Sequence, residues 1–135
     1  MSVEENKQAA RNFFREIWNE KDESAIDRYV SAQAVGNDAD FGSGREDFRK
    51  HWKSWIAAFP DLHFEIVEVI GEGDRVLTRW VLTGTFEGEL LGASGDGRKI
   101  RVEGMSLDRI ENGVVMEGFD GWDNYGFRKQ LGVVE

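Results

Sequence analysis

The last part of the chain carries acidic side chains interleaved with aromatic and glycine residues. In the segment MEGFDGWD, residues 116–123, Glu117, Phe119 and Asp123 are separated by even numbers of positions. Side chains at such a spacing share one face of a β-strand. A carboxyl group held against aromatic surface has a raised pKa and can exchange a proton near neutral pH. Asp123 is therefore a candidate acid/base group, unless it is an exposed strand end or caps the turn that follows it.

Composition excludes or disfavours several other kinds of chemistry. The chain has no cysteine, which excludes disulfides, thiolate nucleophiles and cysteine-based metal sites. Its two histidines, His51 and His63, fall on different predicted elements, so a histidine-rich metal site is not expected. Motifs for phosphate binding, zinc proteolysis, serine hydrolysis and calcium binding are absent from the sequence. We therefore predict chemistry run by carboxylates, with no metal and no cofactor.

Net charge and length limit the remaining classes of protein. With 17 Lys and Arg against 26 Asp and Glu, the chain has a formal net charge of −9 and a pI of about 4.8. Nucleic acids and anionic membranes attract basic surfaces, so neither is an expected partner. No apolar run approaches the roughly 18 residues of a membrane-spanning helix. At 135 residues, the sequence predicts one domain, residues 1–135, of a soluble cytoplasmic protein.

The only proline, Pro60, separates a half with helical periodicity from a half with strand periodicity. The predicted helices are residues 3–20 behind a Ser2–Glu5 capping box, a short helix capped by Asp22, and a third helix that a capping box at Ser43–Glu46 opens and Phe59 ends. Residues 34–44 between the second and third helices predict irregular structure. The first half therefore predicts three helices.

The second half predicts four long antiparallel strands. They are Leu62–Ile70, Arg75–Phe86, Lys99–Ile110 and Val114–Trp122. The pair Asn112-Gly113 favours a tight hairpin between the last two strands. Three helices followed by four strands define an α+β fold. A long sheet with helices on one face twists into a curved surface whose concave side can hold a pocket.

Short motifs distributed over nearly the whole chain carry a resemblance to a known family. They are, in order, Phe59-Pro60-Asp61, Gly73-Asp74-Arg75-Val76, Thr83-Gly84-Thr85, Asn112-Gly113, Asp123-Asn124-Tyr125-Gly126 and Gln130-Leu131-Gly132. In this order and spacing, the chain resembles the SnoaL-like polyketide cyclase group of the nuclear transport factor 2-like, or cystatin-like, superfamily. The resemblance implies a cone-shaped α+β fold, with three N-terminal helices packed on a strongly curved, mainly antiparallel sheet around a central pocket.

The resemblance also implies an activity and a site. Members of the group close a ring by intramolecular aldol condensation of a polyketide ester, without metal or cofactor, and Asp123 matches their acid/base. Candidates for orienting the substrate carbonyls are Asn37, Arg79, Trp80 and Glu103, with His51 as a further pocket donor. Candidates for flat apolar walls are Phe14, Trp18, Trp52, Trp55, Phe59, Phe86, Met105 and Phe119, although core packing explains most of these aromatic residues equally well. The expected ligand is a small hydrophobic or aromatic molecule.

Two other functions compete with ring closure. Small epoxide hydrolases of the same superfamily activate water with a carboxylate–arginine–carboxylate set, for which Arg101, Glu103 and either Asp123 or Asp120 are candidates. The third hypothesis is a pocket that binds a small hydrophobic molecule without chemistry, or a dimerisation module. A homodimer is expected in any case, because one face of the predicted sheet lacks helices to cover its apolar side chains.

Overall fold

The computed structural model describes residues 2–37 and 42–134 as helices packed on a mixed, mostly antiparallel sheet. The helices are α1 (Val3–Asn12), α2 (Glu23–Tyr29), α3 (Arg45–Ala58) and α4 (Asn124–Leu131), and a π-helical segment, Phe13–Asn19, continues α1. The strands are β1 (Val30–Gly36), β2 (His63–Glu72), β3 (Arg75–Thr85), β4 (Glu89–Leu90), β5 (Ala93–Ser94), β6 (Lys99–Glu111) and β7 (Val114–Trp122). The predicted α+β class is confirmed.

The main sheet has five strands in the order β1-β7-β6-β3-β2. The four strands β2, β3, β6 and β7 pair antiparallel, whereas β1 pairs parallel with β7. The sequence prediction missed β1, because its pairing partner lies more than eighty residues away and its short segment has no clear periodicity. It also missed α4, a short helix that begins after Asp123 and ends at Gly132 in the left-handed conformation.

The helix boundaries follow from local capping, with one correction. The Ser2 side chain accepts a hydrogen bond from the Glu5 amide, and the Glu5 side chain accepts one from the Ser2 amide, as predicted. The capping box predicted at Ser43 does not form. Gly44 is the residue that precedes α3, at φ 84°, and the Ser43 amide instead donates to the Asp47 carboxylate at 3.0 Å. The side chain of Ser43 therefore lies one residue too early to cap the helix.

The first helix changes its winding at Phe13. The prediction of one regular helix over residues 3–20 is therefore wrong in detail, because α1 gives way to π-helical hydrogen bonding, in which the Glu20 amide donates to the Arg15 carbonyl at 2.8 Å. Four apolar residues of this segment, Phe13, Phe14, Ile17 and Trp18, are buried. A π-helical turn shifts the direction in which the following side chains project and is frequent at functional sites.

The two faces of the sheet differ in their side chains. The inner face packs against the helices and includes the buried residues Val76, Trp80 and Val102. The outer face exposes Ile70, Met105 and Phe119, each close to half accessible to solvent. These side chains are the apolar surface on which the expected homodimer would form, and the homodimer stays a prediction.

Gly104 on β6 lies where the side chains of two neighbouring strands meet. A Cβ atom at this position would lie 2.5 Å from the Trp80 ring and 2.7 Å from Cβ of Trp122. We predict that Gly104→Ala lowers the free energy of unfolding by about 1–3 kcal/mol, because two large side chains must move. Gly121→Ala on β7 is the control, since nothing lies within 4 Å of its added Cβ atom. Urea unfolding of both variants tests this, and equal effects would contradict it.

Candidate functional site

A cavity lies between the helices and the inner face of the sheet. Its volume is about 110 Å³, many times the roughly 10–15 Å³ that one water molecule needs, so it can admit an organic molecule. Most of its walls are aromatic or aliphatic: Phe13, Phe14, Trp18, Val30, Phe48, Trp55, Phe64, Trp80, Leu82, Val115 and Trp122. The described part of the lining adds four polar side chains: His51, Ser106, Asp108 and Asp120.

Three of the four polar side chains form a cluster on two adjacent strands. In β6, every second residue from Ile100 to Ile110 is directed to the inner face, which places Ser106 and Asp108 there. On β7, Asp120 lies opposite Ser106 in the ladder, and Gly118 lies opposite Asp108. The pleat of the two strands therefore brings a hydroxyl and two carboxyl groups to one wall of the cavity.

Asp108 is buried, and no cationic side chain in the described part of the chain forms an ion pair with it. Only 5% of the residue is accessible to solvent, and burial, followed by the charge of Asp120, raises its pKa well above the ordinary value. Within residues 2–37 and 42–134, its carboxyl group makes no hydrogen bond to another protein group. A Cβ atom at Gly118 would lie 3.0 Å from Asp108 Oδ1, so glycine leaves room for this carboxyl group. These surroundings favour the protonated, neutral form of the Asp108 carboxyl group.

Asp120 is half-buried, and its backbone is fixed from the end of β1. The Asn37 side chain donates to the Asp120 carbonyl at 3.1 Å and accepts from the Asp120 amide at 2.9 Å. Asn37, which the sequence placed among the residues that orient substrate, is exposed and lies outside the described lining. Its side chain instead holds the strand that carries Asp120.

The remaining polar groups of the lining come from β6 and α3. The Trp80 indole donates to Ser106 Oγ at 3.0 Å, and both residues are buried. This bond occupies the N–H that was expected to orient a substrate carbonyl. His51 on α3 is half-buried, and its ring centroid lies 5.8 Å from that of Trp55. Of the sequence-predicted site residues, the structure thus brings Phe14, Trp18, His51, Trp55 and Trp80 into the cavity wall.

Asp123 does not face the cavity. It is exposed and forms the N-cap of α4, where its Oδ1 accepts a hydrogen bond from the Gly126 amide at 2.8 Å. The expectation that it lies against aromatic surface as the acid/base is corrected, because Glu117, Phe119 and Gly121, which are in phase with it, lie on the outer face of β7. The turn-capping alternative, left open by the sequence, is the arrangement found.

Several other candidates also lie outside the cavity. Arg79, Glu103, Met105 and Phe119 are exposed, and in the ladder they alternate with residues of the inner face. Trp52, Phe59 and Phe86 are buried in the core but are not among the lining residues, and Trp52 uses its indole N–H to donate to the Ile17 carbonyl at 2.9 Å. These seven residues are corrected from pocket positions to surface or core positions.

The carboxylate–arginine–carboxylate set of the hydrolase hypothesis is not assembled in the cavity. Arg101 and Glu103 form an exposed ion pair, 3.6 Å between Nη2 and Oε1, on the outer face of β6. Asp120 lies in the cavity wall on the opposite face of the sheet. Glu103 is therefore separated by the sheet from Asp120, and these residues do not form a carboxylate–arginine–carboxylate set in the cavity.

Sequence reasoning missed Ser106 and Asp108, although a signal for both was present. They continue the alternation of Ile100 and Val102 toward Ile110 in the same strand. Residues in phase with buried aliphatic side chains are directed to the core. Asp120 was considered only as an alternative to Asp123 in the hydrolase hypothesis.

The described residues contain no cluster of three or more histidine, cysteine, aspartate or glutamate side chains that could hold a metal ion. In the same part of the chain, no helix is both long and apolar enough to cross a membrane.

A small α+β fold that encloses an apolar pocket with acidic groups on its sheet wall is typical of the nuclear transport factor 2-like class. The model of the SnoaL-like polyketide cyclase family matches residues 8–131. The chain belongs to the SnoaL-like polyketide cyclase family. No curated protein sequence matches it.

Solved structures support the same fold. AclR, a candidate hydroxylase from Streptomyces galilaeus, is 28% identical, with a TM-score of 0.87 over 99% of this chain and 89% of its own. IdmH, a candidate polyketide cyclase from Streptomyces antibioticus, is 26% identical, with a TM-score of 0.78 over 95% and 99%. A candidate polyketide cyclase from Acidithiobacillus ferrooxidans is 25% identical, with a TM-score of 0.82 over 97% of each chain.

The raised pKa of Asp108 predicts a pH dependence of stability. Above about pH 4, the unfolded state releases this proton while the native state keeps it, so stability falls as pH rises toward the native pKa of Asp108. We predict that Asp108→Asn removes this loss. As pH rises above about 4, the free energy of unfolding of the variant should therefore gain on that of the unsubstituted protein.

Urea unfolding at several pH values measures this difference. Asp123→Asn is the control, because Asp123 is exposed and asparagine caps helices about as well as aspartate. A difference between Asp108→Asn and the unsubstituted protein that stays constant with pH would contradict the assignment of a neutral Asp108.

Proposed function

We propose that this protein is a cofactor-independent acid/base catalyst that closes a ring in a hydrophobic carbonyl compound by intramolecular aldol condensation. The observation that carries the proposal is the pair Asp108 and Asp120 on the wall of an otherwise largely apolar cavity. Two carboxyl groups in different surroundings can hold opposite protonation states, one as base and one as acid. Membership of the SnoaL-like polyketide cyclase family supports this class of reaction.

The shape and polarity of the cavity favour a flat hydrophobic ligand. Trp18, Trp55, Trp80 and Trp122 are all in its wall, together with phenylalanine side chains. Aromatic walls with a few convergent polar groups are the usual composition of a small-molecule site. IdmH and the Acidithiobacillus protein, both candidate polyketide cyclases, are similar in fold, which supports a polyketide as the ligand.

The roles of the two aspartates follow from their surroundings. Asp120, half-buried, acts as the carboxylate base and takes a proton from a carbon between two carbonyl groups. The C–H electron pair becomes the enolate, whose carbon attacks a second carbonyl held nearby and forms the new C–C bond. The resulting alkoxide takes the proton back from Asp120, so the ring forms without gain or loss of atoms. Asp108 stays neutral and donates a hydrogen bond.

A second enzymatic function has a specific observation in its favour. AclR, at 28% identity, is a candidate hydroxylase. Hydroxylation adds an oxygen atom to the substrate, whereas aldol ring closure conserves its mass or lowers it by one water. A binding protein without chemistry returns its ligand unchanged. Mass spectrometry of the bound and released compound therefore separates the three functions.

We predict that Asp120→Asn lowers kcat for cyclisation of an aromatic polyketide ester by at least about 100-fold, because an amide cannot accept the proton. Asp108→Asn is expected to cost less, about tenfold, because its amide still donates a hydrogen bond. Asp123→Asn should keep nearly full activity, because its carboxyl group caps α4 and lies outside the cavity.

The three variants are compared by product formation and by ligand affinity. Loss of turnover in Asp120→Asn with retained ligand binding supports the proposal. If only Asp123→Asn loses turnover, the acid/base role returns to Asp123. Ligand binding without turnover in the unsubstituted protein would favour the binding function.

A further inference from the structure

The hydroxyl proton of Ser106 has no acceptor among the residues that the structure describes. Its Oγ accepts a hydrogen bond from the Trp80 indole at 3.0 Å, and both side chains are buried. Among residues 2–37 and 42–134, no acceptor for the Ser106 hydroxyl is found. Because Ser106 is part of the cavity wall, its O–H remains available to an acceptor atom in the cavity.

Asp108 supplies a second donor on the same strand face. It is two residues from Ser106, so their Cα atoms are about 6.7 Å apart, and one oxygen atom between them can accept from both side chains. Its carboxyl group is buried and makes no hydrogen bond within the described chain, and this burial favours its neutral form. A carboxylic acid kept neutral by an apolar site can donate a hydrogen bond to an oxyanion.

We infer that Ser106 and Asp108 form an oxyanion site that receives the carbonyl oxygen of a substrate as it becomes an enolate. The inference rests on the proposed function, in which Asp120 is the base. Asp120 takes the proton, the C–H electron pair forms the C=C bond, and the carbonyl π electrons move to oxygen. Ser106 lies directly opposite Asp120 in the β6–β7 ladder, so donors and base can contact the same bound carbonyl compound.

The site can be tested without knowing the substrate. A phenolate resembles an enolate in its charge and delocalisation, and 4-nitrophenol reports by its absorption whether it is bound as phenol or phenolate. Asp120→Asn mimics the base after it has taken the proton, so this variant is the background for the measurement. 4-Nitrotoluene, which lacks the phenolic oxygen, reports the apolar part of binding.

In the Asp120→Asn background, Ser106→Ala should weaken phenolate binding by about tenfold or more and leave 4-nitrotoluene binding within about twofold. The matched control is Thr78→Val. Thr78 is the other ladder neighbour of Ser106, is fully buried, and has an Oγ1 without a partner in the described chain, but it is not part of the lining. Thr78→Val should therefore change neither the affinity for the phenolate nor the affinity for 4-nitrotoluene.

Asp108 is tested in the same way with two variants. Asp108→Asn keeps a donor and should retain most of the phenolate affinity, whereas Asp108→Leu removes the donor and should weaken it about tenfold or more. Thermal unfolding of each variant confirms that the affinities refer to folded protein.

The inference is overturned if 4-nitrophenol does not bind, if Ser106→Ala and Thr78→Val have equal effects, or if phenolate and 4-nitrotoluene lose affinity together. Its failure is distinct from failure of the proposed function. Donor-dependent phenolate binding without turnover of any polyketide ester keeps the oxyanion site and removes the cyclase assignment. Turnover of a polyketide ester, together with phenolate binding that does not depend on Ser106, keeps the cyclase assignment and removes the oxyanion site.

Discussion

The burial of one carboxyl group without a counter-charge is the constraint on which the rest of the site depends. The described lining of the cavity contains no lysine or arginine, so Asp108 cannot be stabilised there as part of an ion pair with either. Burial of an unpaired carboxylate costs far more free energy than burial of the neutral acid, so the pKa of Asp108 is raised and its neutral form is favoured. The same desolvation that lowers stability at high pH supplies a hydrogen-bond donor where an ordinary aspartate would be an acceptor.

The strand register and two glycine residues of the sheet position Asp108 and Asp120. Gly118 opposes Asp108 and leaves space for its carboxyl group, and Gly104 allows the side chains of Trp80 and Trp122 to approach across β6. The parallel strand β1 extends this arrangement, because it brings Asn37 within hydrogen-bond distance of the Asp120 backbone. A tight wall of this kind fixes side-chain directions that a loop would leave variable.

Sequence reasoning recovered the parts of the molecule that local rules determine. Helix caps at Ser2 and Asp22, the end of the third helix before Pro60, and the four long strands follow from capping and periodicity, and all are present. The site was harder to predict, because alternation tells which residues share a face but not which face is buried. The family resemblance matched Asp123 to the acid/base, and the aromatic side chain of Phe119 made the face that they share seem the inner one.

The register of β6 also keeps its arginine side chains away from Asp108. On the outer face, Arg109 contacts Glu117 and Glu111, at 3.0 Å and 2.7 Å, and Arg101 lies near Glu103. Ion pairs at a protein surface contribute little to the free energy of unfolding, so their presence explains little of the stability. Their position matters more, since a slip of β6 by one residue would carry arginine to the inner face and Asp108 to the outer face. An arginine in the cavity would hold an aspartate as its carboxylate, and the neutral donor would be lost. The apolar residues that fix the register of β6 therefore also keep Asp108 in the surroundings that raise its pKa.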